Sequence, residues 1–235
     1  MDLTPPRTHA ILPLAVLEAM RHLDSPTDEE TAEYVDELLK KRLGLSDTVR
    51  AQIARYDLDV KRGQPVATEE FEQILRLAGR RPDAALVFAD AGRRASRRAL
   101  AQLSPARRWS ARHLPRPLRR AVGFRAARRC LRTVFAMSLA REGGTLVARI
   151  PHGMPVRATA DGAACGFYAA AVAELLRQLV SFDGAVRHLR CRAHGEERCE
   201  WCTTDAPPGA EWSRAEVGPA ARGVHSMGQG QSRFP

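Results

Sequence analysis

The chain has 235 residues, 44% apolar and 6% aromatic, enough to bury a sizeable core in one domain with some decoration. Its formal charge is +10, yet fifteen arginines and no acid lie between Ala91 and Arg141, so the remainder is net acidic and the basicity belongs to one segment. No run approaches the roughly 18 apolar residues of a membrane helix, and the early "AILPLAVLEAM" is broken by Glu18, with only Arg7 as a basic lead-in. Five cysteines, an odd number, argue against a secreted disulfide scaffold, so a cytoplasmic protein is expected.

In chain order, residues 8–23 carry a helical apolar pattern. Ser25 or Thr27, with Pro26 and the acids that follow, starts a second helix to about Leu43, closed by Gly44. A shorter helix is expected over 47–56, then a "KRGQP" turn, then two helices from Thr68 onward broken at Arg81-Pro82. After a proline-containing loop, "RPLRRAVGFRAARRCLRTVFAMSLA" is the longest helical pattern in the chain, ended by Gly143 and Gly144. There the period changes from 3.6 to 2. "TLVARI" and "VRATA" alternate on either side of a "PHGMP" turn and predict a hairpin. "CGFYAAAVAELLRQLVSF" predicts a strongly apolar helix, and "AVRHLRC" and "RCEWCTT" predict two strands joined by "RAHGEE". From Asp205 on, Pro, Gly, Ser and Gln dominate, and a disordered tail is expected over 205–235. The fold class is α+β: a helical N-terminal half, then a hairpin–helix–hairpin module at 143–204.

Four of the five cysteines fall in the last third of the chain. The pattern Cys165-x22-His188-x2-Cys191-x7-Cys199 offers three thiolates and an imidazole, the soft and borderline ligands of a tetrahedral zinc site. Cys165 opens a helix, whose dipole favours a thiolate there. Two residues compete. His194 lies in the turn, and Cys202 stands at ligand spacing from Cys199. Strand side chains alternate faces, so only one of Cys199 and Cys202 can face the site. The same alternation separates His188 from Cys191 unless a bulge or strand end intervenes. Buried thiols with a hydrogen-bonded histidine would fit the same spacing.

The stretch from about Ala163 to Thr203 resembles the 4-vinyl reductase domain family. It has a cysteine-started helix rich in small and apolar residues, followed by "VRHLRCRAHGEERCEW". Metal-bearing members of that family show Cys-x22-Glu-x2-Cys-x7-Cys. This chain matches the three cysteines in register and has His188 in place of the glutamate. The resemblance implies a structural zinc at Cys165, His188, Cys191 and Cys199, with Cys202 the alternative ligand. It also implies an α+β fold shared with haem–nitric-oxide sensors and vesicle-tethering subunits. The match is looser over 85–162, where "LPRPLRRAV" looks like the bacteriochlorophyll-synthesis members. On this basis 66–204 is a 4-vinyl reductase-like ligand-binding domain, and 1–65 is a helical segment without an assignment.

On a helical wheel of 118–137, Arg125, Arg128, Arg129 and Arg132 share one arc opposite Val122, Ala126, Cys130, Val134 and Met137. That basic face suits an anionic ligand or an anionic membrane surface. A solvated face is the plainer reading in a chain with 34 arginines and three lysines. Nucleic acid is disfavoured, since no helix-turn-helix or RNA-binding aromatic signature accompanies the charge. Neither G-x-G-x-x-G after a strand nor G-x-x-x-x-G-K-[ST] occurs, so no hydride source is recognisable and no catalytic residue is assigned. His152, in the "PHGMP" turn, is a weaker candidate haem or metal ligand.

The resemblance therefore suggests a zinc-stapled protein that binds a tetrapyrrole or aromatic molecule, as an accessory factor in bacteriochlorophyll synthesis. A sensory or adaptor module that binds an aromatic or lipid-like effector and acts on a partner protein is the alternative, and a 4-vinyl reductase ranks third. A partner enzyme or regulator is expected, and a homodimer is compatible with the sequence.

Overall fold

A computed structural model describes residues 6–25, 43–103, 116–151 and 154–204. Helix α1 (Ile11–Asp24) is buried around nearly its whole circumference, from Ile11 through Met20, so it forms an interior element. Pro13 falls in its first turn, where a missing N–H leaves no ladder bond broken. Its last residue, Asp24, is a buried carboxylate that accepts from the Gly44 N–H at 2.8 Å and from both terminal nitrogens of Arg81 at 2.9 and 2.7 Å. A Cβ at Gly44 would lie 2.5 Å from that carboxylate, so only glycine permits the contact.

Before α1, strand β1 (Arg7–His9) pairs antiparallel with β2 (Pro65–Ala67), a small sheet that the sequence pattern did not suggest. Between them, helix α2 (Asp47–Arg62) starts on Ser46, whose hydroxyl accepts the Val49 N–H, and stops at the left-handed Gly63. It runs six residues beyond the predicted end at 56. Helices α3 (Thr68–Gly79) and α4 (Ala84–Ala101) break around Arg81-Pro82 as expected. The predicted helix ending near Leu43 and the tail from Asp205 lie outside the described residues, as does His152.

Two sequence expectations are overturned. Helix α5 (Arg116–Val134) stops before Phe135, with Ala136 in the left-handed region, and does not continue through "AMSLA". Ser138–Ala140 of that stretch belong to β3 (Ser138–Glu142), which pairs antiparallel with β4 (Thr145–Ile150) across Gly143 and Gly144. Both glycines have positive φ, +54° and +88°, the requirement of a two-residue hairpin turn matched to strand twist. The hairpin partner of "TLVARI" is thus upstream. "VRATA" is no strand: Val156–Ala158 lies in the short helix α6 (Met154–Ala158).

Helix α7 (Cys165–Val180) is followed by β5 (Ala185–Arg190) and β6 (Cys199–Thr204), completing a four-stranded antiparallel sheet of order β3-β4-β6-β5. The chain is α+β. Helix α4 lies between α1 and α7, α5 packs on the other flank of α7, and one continuous core joins α1 to Trp201 of β6. No described helix is long and apolar enough to cross a membrane.

The helices approach α7 very closely. A Cβ on Gly92 of α4 would sit 2.2 Å from the Phe167 carbonyl oxygen, and one turn later the Ser96 hydroxyl donates to the Ala171 carbonyl at 2.9 Å. Gly92→Ala is therefore expected to destabilise the protein by about 2 kcal/mol, within the usual range for overpacking. Gly166→Ala, on the exposed side of α7 with its nearest neighbour at 3.9 Å, should be neutral or slightly stabilising. Denaturant midpoints of the two variants check the contrast.

At the same seam Glu174 of α7 is a buried carboxylate held by Arg97 at 2.9 Å and Arg177 at 2.8 Å. Burial alone would raise its pKa. The bonds from Arg97 and Gln178 outweigh that and hold it below the ordinary range.

Candidate metal centre

The site is built where the start of α7 meets the β5–β6 turn. Loop 159–164 delivers Cys165 to the helix N-terminus. There the Thr159 hydroxyl accepts the Ala164 N–H at 2.9 Å and Asp161 Oδ1 accepts the Ala163 N–H at 3.0 Å. Gly162 sits between them at φ +76°, and a Cβ on it would lie 2.9 Å from Cys191 Sγ. Glycine is required here both for the backbone angle and for the closeness of the thiol.

The strand pair supplies the other three donors. His188 pairs with Trp201, but Arg190 pairs with Glu200, so Leu189 is the extra residue of a β-bulge. That bulge resolves the alternation conflict, because it rotates the chain between His188 and Cys191 and lets both turn toward one point. Cys191 then leads into a 3-10 turn at Arg192–His194, and its carbonyl accepts the N–H groups of His194 at 2.9 Å and Glu196 at 3.3 Å. Gly195, at φ +88°, reverses the chain toward Cys199, which opens β6 opposite Ile150.

The result is a cluster. The donor atoms of Cys165, His188, Cys191 and Cys199 all lie within 4.8 Å of one another. Cys165 Sγ is 3.9 Å from Cys191 Sγ and 3.8 Å from Cys199 Sγ. The three cysteines are buried, while His188 lies at the exposed rim, its ring stacked on Trp201 at 5.0 Å and 15°. The Cys199 thiol is pulled down to about 4, first by the hydrogen bond it accepts from Cys165 and then by His188 and the Arg192 N–H, against the effect of burial. Cys165 is pushed up chiefly because it donates to Cys199. The four residues could bind a metal ion.

The competitors fall away from this point. Cys202 stands opposite Val147 and Arg187 on the other face of β6, half-buried, and is not in the group. His194 is exposed in the turn and is also outside it. Cys202→Ser and Cys130→Ser are each expected to leave the metal content of the purified protein unchanged, as elemental analysis can show.

The predicted basic face is present on α5. Arg125, Arg128, Arg129 and Arg132 are exposed, while Ala127, Cys130, Leu131 and Val134 are buried on the other side. None of the four arginines has an acidic partner among the described residues. It is separate from the cysteine cluster in sequence and sits on a different helix.

Sequence reasoning missed Gly162, Leu189 and Trp201 as parts of the site. The Asp161-Gly162 dipeptide was the one legible signal, a turn marker directly before Cys165. Comparison of the chain with family models, curated proteins and solved structures found no match.

Proposed function

We propose that this protein is a small-molecule-binding module of the 4-vinyl reductase domain type, stapled by a structural zinc ion at Cys165, His188, Cys191 and Cys199. The observation that carries the metal is the sulfur geometry. A tetrahedral zinc with Zn–S bonds of about 2.3 Å has S···S edges of about 3.8 Å. Two of the three Sγ pairs stand at 3.8 and 3.9 Å, and all four donor atoms lie within 4.8 Å of one another. Disulfide sulfurs would lie at about 2.05 Å. Three thiolates and an imidazole fill a tetrahedron, and a filled tetrahedron is the structural kind of zinc site; catalytic sites keep a position open. The thiolates also favour zinc over the hard cations magnesium and calcium.

The ligand proposal rests on the resemblance together with the solvent-exposed arginines of α5. A tetrapyrrole intermediate carries propionate carboxylates that such arginines would meet, and the protein would hold it for a separate enzyme of bacteriochlorophyll synthesis. Elemental analysis tests the first part: one zinc per chain is expected, and folded protein without metal overturns it. Titration with a protochlorophyllide-type pigment tests the second. No spectral change at micromolar protein removes the tetrapyrrole and leaves the zinc proposal standing.

A further inference from the structure

A cleft opens between the C-terminal ends of α4 and α5, remote in sequence from the cysteine cluster. Its volume is about 350 Å³. Ala99, Leu103, Cys130 and Val134 give it apolar walls, and Gln102, Arg129 and Thr133 give it polar ones. The volume falls at the low end of the roughly 300–1,000 Å³ range of small-molecule sites.

Charge gives the cleft a direction. Other arginines of the basic segment are already engaged: Arg94 with Asp90, Arg97 with Glu174, and Arg98 with Glu18 and Asp57. Arg129 has no acidic partner among the described residues. Arg125 and Arg132 stand one turn before and after it on the exposed face, and α5 contains no acid at all. Like charges three and four residues apart on one helix repel one another, and an anion placed among them relieves that repulsion. The Thr133 hydroxyl donates to the Arg129 carbonyl at 2.9 Å, which ties its rotamer to the same turn of helix. Mixed walls with a cation among them suit a compact molecule that carries both an apolar part and an anionic group.

We propose that this cleft binds compact apolar molecules bearing a carboxylate, with the ring or chain against Ala99, Cys130 and Val134 and the carboxylate on Arg129. The inference stands on the cleft and its charge alone and does not rest on the zinc or tetrapyrrole readings. A carboxylate accepts the paired N–H groups of a guanidinium, and such charge-assisted bonds are about twice as strong as neutral ones. No bond is made or broken, so the site is one of binding only.

The experiment uses naphthylacetate and its uncharged primary amide as probes, followed by calorimetry on the full chain. The acid is expected to bind saturably and the amide about tenfold more weakly, the order expected when a hydrogen bond to a charged group is lost. Arg129→Gln should weaken the acid by about the same factor and leave the amide unchanged. Arg120→Gln, on the same helix but away from the cleft, should leave both unchanged. Ala99→Phe should fill the cleft and abolish binding of both probes, with the melting curve showing that the variant is folded. Equal affinity for acid and amide overturns the proposal, and so does equal loss in Arg120→Gln and Arg129→Gln. Absence of saturable binding at millimolar probe overturns it as well. A pigment titration can fail while these probes bind, and the reverse, so the two readings are tested separately.

Discussion

On the proposed zinc assignment, Cys199→Ser is expected to abolish stoichiometric metal binding and to lower the melting temperature of the whole described core by about 10 °C. The serine hydroxyl is not ionised at neutral pH and cannot replace a thiolate on zinc, so the tetrahedron loses the ligand that joins α7 to β6. The two remaining thiols, Cys165 and Cys191, stay 3.9 Å apart with no cation between them. Apparent zinc binding contributes about 10–16 kcal/mol in peptides that fold only on metal. Here much of the site is ordered by its own turns and strand pairs, and a fraction of that figure, about 3–5 kcal/mol, is expected to reach the folding equilibrium. For a chain of this size each kcal/mol moves the melting temperature by about 2–4 °C. Loss should spread beyond the loops, because Cys165 and Cys199 belong to the core cluster that also holds α1 and α4. A chelator added to the wild-type protein should reproduce the shift. A Cys199→Ser protein that purifies with one zinc per chain refutes the assignment of this residue.

How far the sequence disclosed this site depends on which physical rule governed each residue. Spacing found the four donors, since ligand separations survive whatever the chain does between them. Alternation correctly separated Cys199 from Cys202, because β6 is regular there and residues three apart point to opposite faces. The same rule made His188 and Cys191 incompatible within one regular strand. Its failure marks the bulge at Leu189, a feature set by how β5 pairs with β6 and invisible in β5 alone.

The hairpin was misassigned for a related reason. "AMSLA" is locally a good helical sequence, and nothing in it announces that Ala136 turns left-handed or that Ser138–Glu142 will pair with β4. Strand preference is largely a property of the neighbours a segment meets. "VRATA" alternates convincingly and still folds as part of a short helix, since alternation over five residues cannot outweigh the neighbouring contacts of α6 with α3. The glycine pair 143–144 was read as a helix stop, although two consecutive positive-φ residues are equally the mark of a tight hairpin. The helices were more legible, because a buried stripe at 3.6-residue spacing needs no knowledge of a partner.

Trp201→Ala is expected to be the most damaging single substitution outside the four donors, lowering stability by about 3–5 kcal/mol and weakening zinc as well. Trp201 is fully buried at the centre of β6, flanked by Ala148 on one side and His188 on the other. Its ring lies 6.0 Å from Tyr168, which in turn meets Phe167 at 5.1 Å, so it links the sheet to the aromatic core of α7. On its other side it stacks on His188, the one donor that is exposed and on an edge strand. Removing the indole therefore opens a large cavity and also frees the imidazole to rotate, which adds an entropic cost to zinc binding. Trp201→Phe separates the two effects. It retains a ring for stacking and deletes the indole N–H, which is buried without a partner among the described residues. An unsatisfied buried donor costs about 1–3 kcal/mol, so its loss should offset much of the smaller cavity. Trp201→Phe is thus expected to melt close to the wild type and to keep its zinc affinity, measured by competition with a chromophoric chelator. Wild-type zinc affinity in a folded Trp201→Ala protein would show that the stack does not position His188.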